Sequence, residues 1–160
     1  MQFEDWSSLQ RVLVLAADAP TAIRPVLEAL HRALPTVTLE IIGCTPAWDE
    51  ALLAPYLVQP WPNLETSLSD QSDAIAWIQQ RSFDAALIFT AFEESPYTLA
   101  YLCYLGGVPV RIGQSLEFGG KLLSHWYLPP KNCEVVNPHL HLLQSAGFPF
   151  FTEWAPFTAA

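Results

Sequence analysis

Polar residues able to do chemistry are few in the middle of this chain, and they are grouped. Glu93, Glu94 and Ser95 follow the apolar run "FDAALIF" (83–89), and Arg111, Gln114, Ser115 and Glu117 lie in and just after "VPVRIG" (108–113). Asp18 occupies the corresponding place behind "RVLVLAA" (11–17). Of the histidines, His125 in "SHW" reads either as a base or as a packed structural residue. His139 and His141 stand two apart on a helix, point in different directions and cannot chelate one metal. Cys44, Cys103 and Cys133 are odd in number and lack metal-ligand spacing, so they read as reduced thiols of a cytoplasmic protein. No metal and no cofactor is expected.

Composition narrows the partners. The 160 residues suit one domain with a sizeable core, being 51% apolar and only 14% charged. Seven basic against sixteen acidic residues give a net charge of −9. Nucleic acid needs a basic footprint, so it is excluded as a partner, and charge-driven docking on anionic lipid is excluded with it. Charges or prolines interrupt every apolar run before it reaches membrane-spanning length.

The elements that must position the polar groups alternate. "RVLVLAA", "TVTLEIIG" (36–43), "FDAALIF" and "VPVRIG" read as buried parallel strands, and "PYLVQPW" holds room for another short one. Between them, a helix after Asp18 and Pro20 carries Ile23, Val26, Leu27, Leu30 and Leu34 on one stripe. "SLSDQSDAIAWIQQRS" (67–82) turns Leu68, Ile75 and Ile78 inward behind a serine-rich start. "SPYTLAYLCYLGG" (95–107) has Ser95 as cap and a glycine stop, and "NPHLHLLQSAG" (137–147) has Asn137 as cap and Gly147 beyond its end. Strand–helix alternation at these lengths predicts an α/β fold, a Rossmann-like doubly wound parallel sheet of five or six strands.

In such a sheet the loops leaving the carboxyl ends of the strands line the ligand crevice. That rule predicts one polar rim containing Asp18, Glu93, Glu94, Ser95, Arg111, Gln114, Ser115 and Glu117. Arg111 reads equally as a ligand contact or as a clamp on Glu93 or Glu117. Asp18 also reads as a plain helix cap. Tyr97, Tyr101 and Tyr104 form a stripe suited to core or interface, or to a ligand. "LAADAPTA" contains no glycine, so a G-x-G-x-x-G pyrophosphate turn is absent and a dinucleotide-dependent dehydrogenase is excluded.

Taken together, "RPVLEALHRALP", "FDAALIF" and "SPYTLAYLCYLGGVPVRIGQSLEFGGKLLSHW" resemble glycosyltransferase family nine. That is the family of ADP-heptose–lipopolysaccharide heptosyltransferases, and the likeness is nearest to its cyanobacterial members. It spans residues 11 to 147. It implies a GT-B architecture of which residues 1–147 form the N-terminal, acceptor-binding Rossmann-like half; by their composition residues 148–160 read as an aromatic, proline-broken tail. It also implies inverting, metal-independent glycosyl transfer, with Asp18 in the place of the family's general base and Arg111, Gln114, Ser115 and Glu117 in its "RIGQSxEFGG" pattern.

On that likeness the nucleotide-sugar-binding half lies outside this chain, and the domain is expected to be inactive alone. Its partners would be a glycan or glycolipid acceptor and a separate donor-binding domain. The alternative is a non-catalytic interaction or scaffold module on the same fold, docking through the tail residues Phe150, Phe151, Trp154 and Phe157.

Overall fold

The computed structural model describes residues 5–46, 48, 56, 58–132 and 136–149. Six strands form one all-parallel sheet: β1 (Arg11–Ala17), β2 (Thr38–Gly43), β3 (Val58–Pro60), β4 (Ala85–Thr90), β5 (Val110–Gln114) and β6 (His125–Tyr127). The order across the sheet is β3-β2-β1-β4-β5-β6. This is the strand order of dinucleotide-binding folds, and the direction of winding reverses between β1 and β4. The expected doubly wound α/β fold is therefore the fold of this protein.

Helices α1 (Pro20–Ala33), α2 (Leu68–Arg81), α3 (Tyr97–Leu105) and α4 (Pro138–Ser145) cover both faces. Strand β1 is apolar throughout because both its faces are buried. Val12, Val14 and Ala16 pack with α1 and α4, while Leu13, Leu15 and Ala17 pack with α2 and α3. The connection from β1 leads one way along the sheet and that from β4 the other. With crossovers of one hand, α1 and α3 must then lie on opposite faces.

The α1 stripe is buried as its periodicity predicts. In α2 the inward residues are Ala74 and Ile78, with Ile75 partly covered, whereas Leu68 is exposed. Leu68 opens the helix, too close to its end to reach the core. The apolar stripe of α3 (Leu99, Leu102, Cys103) is buried, but Tyr101 and Tyr104 on the other stripe are exposed. Strand β6 has no counterpart among the predicted strands. At three residues it is too short to show a period.

Chain ends follow their caps. The Asn137 side chain accepts amides of His139 and Leu140 and the Ser67 side chain accepts that of Asp70. Gly107 and Gly147 take left-handed φ values of 80° and 78° just beyond α3 and α4, where only glycine does so without strain. Phe148 packs edge-to-face on Trp6, ring centroids 4.9 Å apart. The tail residues 150–160 and Cys133 lie outside the described residues, and so does the docking reading placed on them. No helix among the described residues is long and apolar enough to cross a membrane.

Candidate functional site

The reversal between β1 and β4 puts Asp18 one residue beyond β1 and beside the loop leaving β4, since Ala17 pairs with Thr90. Asp18 is not the helix cap. Ala19 holds that position without a side-chain bond, and α1 begins at Pro20. Instead, Asp18 Oδ1 accepts the amide of Ala19 at 2.7 Å, and Oδ2 lies 2.8 Å from His139 Nε2. Trp48 Nε1 donates to the Asp18 carbonyl at 3.0 Å, fixing the backbone behind the carboxylate.

Asn137 explains how a histidine from the last helix reaches this point. Its Oδ1 caps α4, and its Nδ2 donates to the Ala22 carbonyl in α1 at 3.1 Å. That ties the two helices together and sets the first turn of α4 against the carboxyl edge of β1. His139 is fully buried there, edge-to-face with Phe89 at 5.5 Å. The carboxylate retains 22% of its side-chain surface in solvent. Of this pair, only Asp18 can be approached.

The protonation pattern follows. His139 donating to the carboxylate is the main reason Asp18 titrates below its ordinary value, the Ala19 amide adds to this, and burial opposes it. An ionised carboxylate only accepts, so Nε2 carries the proton of this bond. Nδ1 of His139 is buried without a partner among the described residues.

Beside the dyad, the loops after β4 and β5 enclose a cavity of about 310 Å³. Its lining includes Glu93, Glu94, Ser95, Gln114, Ser115 and Glu117, six of the polar residues expected at the rim, together with Thr90, Phe92, Leu116, Pro129 and Pro138. Two serine hydroxyls shape these loops: Ser95 Oγ accepts the Tyr97 amide and Ser115 Oγ accepts that of Glu117. Ser95 thus acts one residue earlier than expected, since Pro96 takes the cap position of α3. The Tyr97 hydroxyl donates to the Glu117 carbonyl, and a side chain at Gly119 would collide with the Tyr97 ring. Glu93 holds a left-handed φ of 68°, a conformation costing about 1 kcal/mol for a residue with a side chain.

Arg111 does not belong to this rim. It enters at the amino end of β5, opposite Ala86 at the start of β4, and is almost fully buried. Its guanidinium donates to the carbonyls of Val108, Lys121 and Leu122 and lies over the Tyr104 ring. A salt bridge to Glu93 or Glu117 is not formed, because those carboxylates sit at the other end of the strands. "VPVRIG" begins its strand two residues later than its composition suggests, which moves Arg111 from the strand's end to its start.

His125 is held near Ser124 at 2.9 Å, and burial pushes its pKa down. His139 is fully buried whereas His141 is only half-buried, and no group of three metal-binding side chains forms among the described residues. Cys44 and Cys103 are buried free thiols, that of Cys103 pushed up to about 12 by burial, so neither is a nucleophile at neutral pH. The residue that sequence reasoning missed is His139 as the partner of Asp18. Its signal was available: His139, Leu142, Leu143 and Ala146 share one buried stripe, and a histidine on an apolar stripe requires a polar partner.

No protein-family model matches this chain, and no curated protein matches it. The likeness to family nine rests on the sequence motifs alone.

Proposed function

We propose that this chain is the acceptor-side half of an inverting, metal-independent glycosyltransferase of the family-nine type, working in the cytoplasm, with Asp18 as general base. One observation carries this reading: a partly open carboxylate stands at the point where the sheet's winding reverses, held by His139 and by the Ala19 amide. Ligands of open α/β sheets bind at that point. A fixed carboxylate there is placed to receive the proton of an acceptor hydroxyl.

In the step itself the acceptor O–H bond breaks and its proton passes to the Asp18 carboxylate. The oxygen bonds to the anomeric carbon from the face opposite the leaving group, and the nucleoside diphosphate departs with the electron pair of the broken C–O bond. The lowered pKa keeps Asp18 ionised at neutral pH. The hydroxyl becomes acidic as its bond to carbon forms, so a weakly basic carboxylate suffices late in the step.

The donor must be held elsewhere. The helix N-terminus that takes a pyrophosphate in dinucleotide folds has Asp18 beside it, and the cavity lining contains Glu93, Glu94 and Glu117 but no lysine or arginine. A nucleotide sugar would meet repulsion at both places. A second, donor-binding unit is therefore required for turnover.

The alternative of a non-catalytic interaction module draws on the exposed Phe92, Leu116, Phe118 and Leu128 along or beside the same rim. Apolar exposure at the mouth of a cleft suits a partner domain in either case.

Reconstitution distinguishes the two. A donor-binding protein co-purified with this chain from native cells should transfer sugar from an ADP- or UDP-sugar only when both are present. Transfer by the partner alone, at a rate this chain does not change, would contradict the proposal.

A further inference from the structure

Gln114 ends β5 and lines the cavity, yet it is only 6% exposed. Its Nε2 donates to the Pro138 carbonyl at 3.2 Å. That bond fixes the amide orientation, because a flipped amide would set two carbonyl oxygens against each other. Its Oε1 is then an acceptor, buried and without a partner among the described residues. Leaving a buried acceptor unpaired is costly, so its place is that of a group awaiting a donor.

The surroundings say which kind of donor. Glu93, Glu94 and Glu117 border the same cavity and no basic side chain does. Glu94 also acts at a distance: burial chiefly raises the pKa of Glu65, and the charge of Glu94 adds to it. The carboxylates are spread round the rim instead of converging, and no three metal-binding groups gather among the described residues. A bare metal ion has no cage here. A ligand with hydroxyls, an apolar face and a positive charge has acceptors on several sides and the exposed Phe92 and Leu116 to lie against.

We infer that the crevice takes an acceptor bearing a protonated amine, an amino-substituted sugar, with Gln114 Oε1 and the acidic rim as its acceptors. This rests on the acceptor-side assignment made above and specifies the acceptor's chemistry. A charged donor on a buried amide oxygen gives a stronger bond than a neutral one, and a carboxylate rim favours the ammonium further.

The test is a titration of the isotope-labelled protein, followed by amide chemical shifts, with a glucosamine trimer and with its fully N-acetylated counterpart. Shifts should saturate at residues 90–95 and 114–117 with the amine trimer, and the N-acetylated trimer should bind at least about ten-fold more weakly. Gln114→Leu removes Oε1 without altering net charge, so general attraction to an acidic protein is unchanged, and about ten-fold weaker binding is expected. Glu117→Gln, at an exposed position that puts the fold at no risk, should weaken binding several-fold. Equal affinity for the two trimers at these amides would overturn the amine inference and leave the acceptor-side reading standing. Shifts scattered over the acidic surface, or binding indifferent to both substitutions, would overturn it as well. Silence at these amides with either trimer would overturn the inference and remove support from the acceptor-side reading too.

Discussion

His139 Nε2 lies 2.8 Å from Asp18 Oδ2 across 121 positions of sequence. The pair joins the first strand's exit to the first turn of the last helix. Replacing His139 with leucine keeps the burial but leaves Oδ2 without its donor. The folded state should lose about 1–3 kcal/mol, the cost of unpairing a hydrogen-bonded charge. Urea denaturation measures this directly, and unchanged stability would mean the pair contributes nothing to the fold.

Acid sensitivity follows from the same bond. The folded-state pKa of Asp18 is lowered, chiefly by His139, so its stabilisation is complete above the ordinary value of about 3.9 and is lost as pH falls through the folded value. His125 and His141 are lowered mainly by burial, and their contribution declines as pH falls below about 6.5. Glu65, raised by burial and by Glu94, acts with the opposite sign: its contribution is present below about 4.3 and lost as pH rises through its folded value. Only the limb below about pH 4 belongs to Asp18, and Asp18→Asn should flatten it. An identical acid limb in that variant would refute the assignment.

Arg111 supplies a contrast. Its fork of donors meets four backbone carbonyls, those of Val108, Pro109, Lys121 and Leu122, and clasps the 121–122 segment to the start of β5. Lysine has no planar fork and cannot satisfy all four, so Arg111→Lys should destabilise by about 2–3 kcal/mol. Ligand binding at the crevice should be unaffected by the same change once the protein is folded. Loss of binding at full stability would return Arg111 to the rim.

What the sequence made legible is what burial on both faces imposes. "RVLVLAA" and "FDAALIF" have no polar side, so they had to be interior strands, and they are β1 and β4. The loops leaving β4 and its neighbour β5 then had to meet, which brought six of the eight expected rim residues into one cavity lining. Asp18 stands at the same sheet edge. Arg111 was misplaced because strand ends carry no strong signal: a shift of two residues exchanges one end of the sheet for the other. Strand β6 was too short to reveal a period. The dyad required knowing that α4 packs on α1, a contact between the two ends of the chain that no local pattern encodes.

The most direct measurement is the turnover of Asp18→Asn with a reconstituted donor-binding partner. Asparagine can keep the fold's bonds: its oxygen accepts from Ala19, and its amide can donate to His139 Nε2 once the proton moves to Nδ1, which has no other partner among the described residues to lose. Stability at neutral pH should fall by no more than about 1 kcal/mol, one hydrogen bond's worth. With no base to take the acceptor's proton, the transfer rate should drop by at least about 10²-fold. Wild-type turnover in the asparagine variant would contradict the account, whatever its stability.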